Sequence, residues 1–285
     1  MNLSISNIGW NTENDEAVYK MMQERDFTGL EIAPTKIIPE KPYDDLERAG
    51  SWADSLKKNQ GFTVPSMQSI WYGRKEQIFG SAEERHALTE YTKKAIDYAA
   101  VIGCGNLVFG CPKNRSIPEN PIIDKTDPMA ADATGTEKNE NIQSFQDIGI
   151  QFFKELGDYA AAKGTVIGME ANPSIYGTNY VNRTKDALNL IDEVASPGFR
   201  LNLDVGTMVQ NEESVDLLRG KVSLINHVHI SEPFLAPIEK RTLHLDLKEL
   251  LIEENYRGFV SIEMGTVSDL YLIEKALDYT KEIFG

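Results

Sequence analysis

Four stretches in the second half of the chain share one pattern, a short apolar run that stops at an acid or a histidine just before a turn. Val166-Ile167-Gly168-Met169 ends in Glu170 ahead of Asn172-Pro173, and Phe199-Arg200-Leu201-Asn202-Leu203 ends in Asp204 ahead of Gly206. Ile225-Asn226-His227-Val228-His229-Ile230 runs into Ser231-Glu232-Pro233, and Phe259-Val260-Ser261-Ile262 ends in Glu263 ahead of Gly265. Apolar alternation with glycine or proline punctuation is the signature of a short strand. The polar ends recur at roughly 25 to 35 residues, which is what one strand plus one helix of an eightfold α/β barrel consumes.

The first half of the chain extends the alternation. Residues 3–8, 27–32, 62–67 and 106–109 read as strands. Helical runs follow at 16–25, 43–59, 82–102 and 142–163, the third and fourth stopped by Gly103 and Gly164. Beyond them, helices are expected at 184–194, 213–218, 247–256 and 270–283, and Gly206 reads as a turn. Eight strands alternating with eight helical segments predict a parallel sheet closed into a single-domain (β/α)8 TIM barrel over residues 1–285. A polar insertion at about 112–141, carrying Pro118, Pro121 and Pro128, reads as a rim loop that serves as a lid or subunit contact.

At 285 residues and 41% hydrophobic, the chain can bury one large core. No apolar run approaches the ~20 residues that cross a bilayer, and the start of the chain lacks a basic stretch followed by an apolar one. A cytoplasmic protein with no membrane partner is the expectation. The net charge of -15 argues against nucleic acid, whose phosphates need clustered Lys and Arg. Two cysteines, Cys104 and Cys111, make no disulfide framework and are expected as buried free thiols.

In a barrel of this kind the strand ends are where chemistry sits, so Glu170, Asp204, His229 and Glu263 are expected on one rim. Singly, each acid has a plain alternative, capping the next helix. Together, three carboxylates repel unless a cation lies between them. Oxygen donors with one imidazole suit Mn²⁺ first, with Mg²⁺ and Co²⁺ close behind and Zn²⁺ less well served. His229 lies nearer the strand exit than His227, so it is taken as the ligand and His227 as an interior residue. His86 is expected in solvent.

Pro112-Lys113-Asn114-Arg115 offers two cations at the mouth of strand four, suited to a carboxylate, a phosphate or sugar oxygens unless it is simply a solvated loop. Trp10, Trp71 and Tyr72 can wall a sugar ring or pack in the core. Gln68, Thr207, Glu232 and His244 complete the expected substrate-facing set, His244 being equally readable as a surface residue.

These motifs resemble the xylose-isomerase-like sugar isomerase and epimerase family, whose members include tagatose 3-epimerase, hydroxypyruvate isomerase and inosose dehydratase. The resemblance spans the chain. It rests on Gly168-Met169-Glu170, Leu201-Asn202-Leu203-Asp204-Val205-Gly206, His227-Val228-His229-Ile230-Ser231-Glu232 and Tyr256-Arg257-Gly258-Phe259-Val260-Ser261-Ile262-Glu263-Met264. It implies one divalent metal on Glu170, Asp204, His229 and Glu263. It also implies that Glu170 and Glu263 act as the acid/base pair, moving a proton through a metal-stabilised enediolate of a carbohydrate substrate. Relatives pair through rim loops, which makes 117–140 the expected contact of a homo-oligomer.

The chain departs from many relatives where their strand-six Asp-x-x-His becomes Asp204-Val205-Gly206-Thr207. It also carries Leu235 and Tyr176 where ketose 3-epimerases place an arginine and a glutamate. Isomerase or epimerase is therefore the leading expectation. A keto-polyol dehydratase on the same site stands behind it, and behind that an endonuclease IV-like nuclease or a non-catalytic sugar-binding barrel.

Overall fold

A computed structural model describes residues 1–119 and 138–285. The expected rim insertion and subunit contact lie mostly outside them. In chain order the described elements are β1 (Asn2–Ser6), α1 (Asp15–Gln23), β2 (Gly29–Glu31), a one-turn α2 (Pro34–Ile37), α3 (Leu46–Gln60), α4 (Ala82–Val101) and β3 (Leu107–Phe109). Then come α5 (Lys138–Ala162), β4 (Ile167–Met169), α6 (Thr184–Val194), β5 (Phe199–Asp204), α7 (Val205–Gln210), β6 (Ile225–Ser231), α8 (Thr242–Glu253), β7 (Phe259–Glu263) and α9 (Leu270–Phe284).

The strands form one curled parallel sheet in the order β2-β1-β7-β6-β5-β4-β3. They are short and buried along nearly their whole length, as expected of parallel strands covered by helices. Local chemistry starts and stops those helices. Asp45 accepts from the Arg48 N–H at the head of α3, Ser81 and Glu84 cap each other's backbone at the head of α4, and Gly61 ends α3 in the left-handed conformation at φ 79°. The buried apolar side chains form a contiguous cluster running from Leu3 to Phe284.

Three expectations change. Residues 62–67 do not form a strand; they make isolated parallel bridges, Thr63 with Gly29 and Met67 with both Ile32 and Leu107. Pro65 sits in the middle of that run and has no N–H to give a ladder, so pairing breaks between the bridges. Among the described residues the sheet is thus seven-stranded, with this segment hydrogen-bonded at intervals to the β2 and β3 edges.

The second change concerns Gly206, read from sequence as a turn. It lies in α7, which starts directly after Asp204. The reason for glycine there is proximity: a Cβ would meet Ser231 Oγ at 2.9 Å and the Glu232 backbone at 3.1 Å. The expected helix at 213–218 is reduced to a single 3-10 turn at Val215–Leu218.

Candidate metal centre at the strand ends

Register brings the four polar strand ends to one rim. Asp204 pairs with His229 across β5 and β6, Ser231 with Glu263 across β6 and β7, and Glu170 follows directly on β4. One ligand atom from each of Glu170, Asp204, His229 and Glu263 lies within 4.8 Å of all the others. His229 Nδ1 is 3.1 Å from Glu170 Oε1 and 3.2 Å from Glu263 Oε2. Opposite donors on an ion with bonds of about 2.1 Å sit about 4.2 Å apart, so a divalent cation fits this span and this donor set.

The electrostatics point the same way. Burial, then repulsion from Glu170 and Glu263, pushes the Asp204 carboxyl up to about 7. Burial also raises Glu263 against the opposing pull of His229. Burial disfavours a charged His229 ring, yet Glu263 and Glu31 outweigh it and hold that imidazole well above its ordinary value. In the metal-free protein, protons therefore do part of the neutralising that a cation would do.

The surrounding groups fix the carboxylates in place. Asn202 Nδ2 donates to Glu170 Oε1 at 2.9 Å, and Asn172 Nδ2 to Glu170 Oε2 at 3.2 Å. Gly110 leaves room for this arrangement, since a Cβ there would come within 2.8 Å of Glu170 Oε2. Asp204 accepts from the Thr207 N–H at 2.6 Å through Oδ1 and from Ser231 Oγ through Oδ2. Capping and cation binding are thus compatible roles for Asp204, because each carboxylate oxygen has a second lone pair.

A cavity of about 510 Å³ opens beside the cluster. Of the residues expected to face a substrate, Gln68, Trp71 and Lys113 line it together with Glu170 and Glu263, and so do Tyr72, Arg74 and Lys75. The others lie elsewhere. Trp10 is fully buried and gives its indole N–H to Asp15 at 2.7 Å, making it core rather than a sugar wall. Thr207 is buried with its hydroxyl on the Ala171 carbonyl at 2.8 Å.

Glu232 is taken up by an ion pair with Arg241. His244 is in α8, not a loop, and is buried against the Tyr279 hydroxyl at 2.9 Å. Arg115 turns inward; its Nη2 donates to the Glu170 carbonyl at 3.1 Å and to Asn172 Oδ1 at 2.8 Å. His86 is exposed. Cys104 is buried and Cys111 partly so, both free, with burial raising each thiol to about 12. A further cavity of about 440 Å³, lined by Met1, Asn2 and Arg257 among others, lies by the start of β1, away from these groups.

Sequence reasoning missed Glu31, Asn172 and Asn202. Glu31 and Asn202 carried a signal, a polar residue inside an apolar strand that has to find a partner. Asn172 carried none beyond its place in a turn.

A sequence model of the family described as "Xylose isomerase-like TIM barrel" matches residues 20–283. No curated protein sequence matches the chain. Among solved structures, 3-keto-D-glucoside 4-epimerase from E. coli superimposes with a TM-score of 0.74 at 19% identity, covering 99% of each chain. D-psicose 3-epimerase from Clostridium cellulolyticum H10, solved with D-tagatose, gives 0.74 at 13%, covering 100% of this chain and 99% of that one. D-allulose 3-epimerase from Methylomonas sp., solved with D-allulose, gives 0.69 at 17%, covering 99% and 97%. At such identities the likeness is one of fold. Among the described residues, no helix is long and apolar enough to cross a membrane.

Proposed function

The chain belongs to the xylose isomerase-like TIM barrel family, and from that premise we propose that it is a divalent-metal-dependent isomerase or epimerase of a sugar or sugar derivative. The observation that carries the proposal is the convergence of Glu170, Asp204, His229 and Glu263 within 4.8 Å of one another, with Asp204 pushed up to about 7. The sugar epimerases among its structural neighbours support the substrate class. We read the chain as one barrel domain, with 62–67 as its eighth stave.

Glu170, Asp204, His229 and Glu263 would hold a divalent ion, Mn²⁺ being the first choice, and such an ion would supply Lewis acidity toward a sugar carbonyl. The protein's own part is proton transfer. Glu170 and Glu263 both border the cavity and both flank His229 Nδ1, so a substrate carbon beside them meets two carboxyl groups. One takes the carbon-bound proton to give an enediolate. The other, protonated at the outset, gives its own proton to the opposite face of that carbon for epimerisation, or to the neighbouring carbon for isomerisation, where a proton also passes between the two substrate oxygens. Asn202 and Asn172 hold the Glu170 carboxylate in one plane while it does so. Trp71 and Tyr72 on the cavity wall suit a sugar ring, and Lys75 and Lys113 its hydroxyls or an acidic group.

The test is incorporation of deuterium from D₂O into a panel of ketoses and ketose derivatives, with and without Mn²⁺. Wild type exchanges only with the ion. Glu170→Gln and Glu263→Gln each lose about 10²- to 10⁴-fold, the usual worth of a positioned acid or base. Full activity in either variant would sink the proposal.

A further inference from the structure

We propose that Glu31, on a strand far from the four-residue cluster in sequence, is the positioning residue that fixes His229 in its cation-binding tautomer; this rests on the metal centre of the proposed function. His229 has two ring nitrogens with different neighbours. Nδ1 faces Glu170 and Glu263, while Nε2 faces Glu31 Oε2 at 2.9 Å. For Nδ1 to offer its lone pair to an ion, the ring proton must sit on Nε2, where it needs an acceptor. Glu31 is that acceptor. It is 0% exposed, as is His229, so water does not substitute.

Glu31 is itself held. Gln68 Nε2 donates to Glu31 Oε1 at 3.0 Å and to Ser6 Oγ at 2.9 Å, while Ser69 Oγ lies 3.4 Å from Gln68 Oε1. His227 Nε2 is 3.0 Å from the same Glu31 oxygen, so the carboxylate faces both rings, and the His229 contact at 2.9 Å is the one aligned as a hydrogen bond. His227 packs edge-on against His229, with ring centroids 5.3 Å apart and planes at 88°, which leaves His229 little room to rotate. A carboxylate behind a ligating histidine fixes both its tautomer and its basicity, and losing one costs about 10- to 100-fold in metal affinity.

The experiment measures the Mn²⁺ dissociation constant and stoichiometry of wild type, Glu31→Leu, Glu31→Gln and the exchanged pair Glu31→Gln/Gln68→Glu. Thermal melting of the metal-free proteins is recorded alongside. In Glu31→Leu the Nε2–H has no acceptor, the proton is better placed on Nδ1 facing two carboxylates, and affinity falls about 100-fold. Glu31→Gln keeps an acceptor oxygen but loses its charge and falls about 10-fold.

In the exchanged pair, the carboxylate now at position 68 accepts from the amide now at position 31 and from the Ser6 and Ser69 hydroxyls. That turns the new amide's oxygen back toward His229, and affinity returns to within about threefold of wild type. A role confined to packing would not be rescued by exchanging charge and amide between the two positions.

The inference is overturned if Glu31→Leu binds as tightly as wild type, if the exchanged pair binds no better than Glu31→Leu, or if wild type takes two ions per chain, which would make Nε2 a ligand. Should Glu31→Leu fail to fold, the contrast between Glu31→Gln and the exchanged pair decides. Wild type that binds no divalent ion removes the metal reading itself, and the inference with it. Wild type that binds while the variants bind equally well removes the inference alone.

Discussion

Arg115 is a fully buried cation that no carboxylate pairs with among the described residues. Its Nη2 serves the Glu170 carbonyl and Asn172 Oδ1, its Nε and Nη1 have no partner among the described residues, and burial pulls it down to about 10. Because a guanidinium only donates, Asn172 must turn its oxygen toward Arg115, which leaves its amide N–H for Glu170 Oε2. The arginine thereby fixes a carboxylate that it does not itself pair with. We expect Arg115→Met to lower kcat about tenfold with KM within about twofold, since the Asn172 amide is then free to flip its oxygen toward Glu170. The melting temperature does not fall, because removing a poorly compensated buried charge offsets two lost hydrogen bonds. Steady-state kinetics and a thermal melt check both halves; a KM effect alone would mean that Arg115 reaches substrate. From sequence the residue looked like a rim cation. What reverses its direction is the 3-10 turn Pro112–Asn114, entered through Cys111 at φ 43°, a conformation that cysteine gives no reason to expect.

At the scale of elements, β5 and α7 show how one side chain does two jobs. Asp204 ends the strand, caps the helix through the Thr207 N–H and contributes to the four-residue cluster. Asparagine caps as well as aspartate, whereas alanine does not. Asp204→Asn should therefore leave the metal-free melting temperature unchanged or raised, because a buried charge facing Glu170 and Glu263 is gone, while Mn²⁺ affinity falls at least about 100-fold. Asp204→Ala loses the affinity and also about 1 kcal/mol of stability. Calorimetric titration and melts of both variants separate cap from ligand; an Asp204→Asn protein that binds the ion normally would leave only the cap.

The sequence marked β5 and α6 at their observed bounds because each combines a strong period with clear stops: alternation between Gly198 and Gly206 in one, an apolar stripe behind Thr184 in the other. It failed at 62–67, where apolar content looked like a strand and Pro65 breaks the ladder. It failed again at α7, because a glycine demanded by the approach of Ser231 and Glu232 looks the same as one demanded by a turn. The strand-end residues were legible because parallel register alone brings them together. Glu31 was not, because its partner, 198 residues away, is set by side-chain direction across the sheet.

For the whole molecule, the cluster couples stability to pH and, as the proposed metal centre, would couple it to cations. Burial and its two acidic neighbours push Asp204 up to about 7, from the 3.8 of a free aspartate. His229 is held well above 6.5 by Glu263 and Glu31 despite its burial. Between pH 6.5 and 8.5 the folded chain keeps protons on these groups that the unfolded chain has already released, so raising the pH draws the equilibrium toward unfolding. The histidines that burial pulls downward, His227 and His244, oppose this trend only at the low end of the window, where the unfolded chain still holds part of their protons, and above about pH 7.5 they are neutral in both states. The chelator-treated protein should therefore melt at progressively lower temperature across that window.

A divalent ion held by the four residues as proposed would replace those protons and bind only the folded chain. At a hundredfold excess over its dissociation constant it adds about 2.7 kcal/mol, worth several degrees in melting temperature. Its affinity also rises with pH as the ligands lose their protons, so with saturating Mn²⁺ the slope flattens or reverses. Melts at five pH values with EDTA and with Mn²⁺ test this directly. Parallel curves, or a metal-free protein that gains stability as pH rises through 7, would mean that these carboxyls are neutralised by something other than protons and a cation.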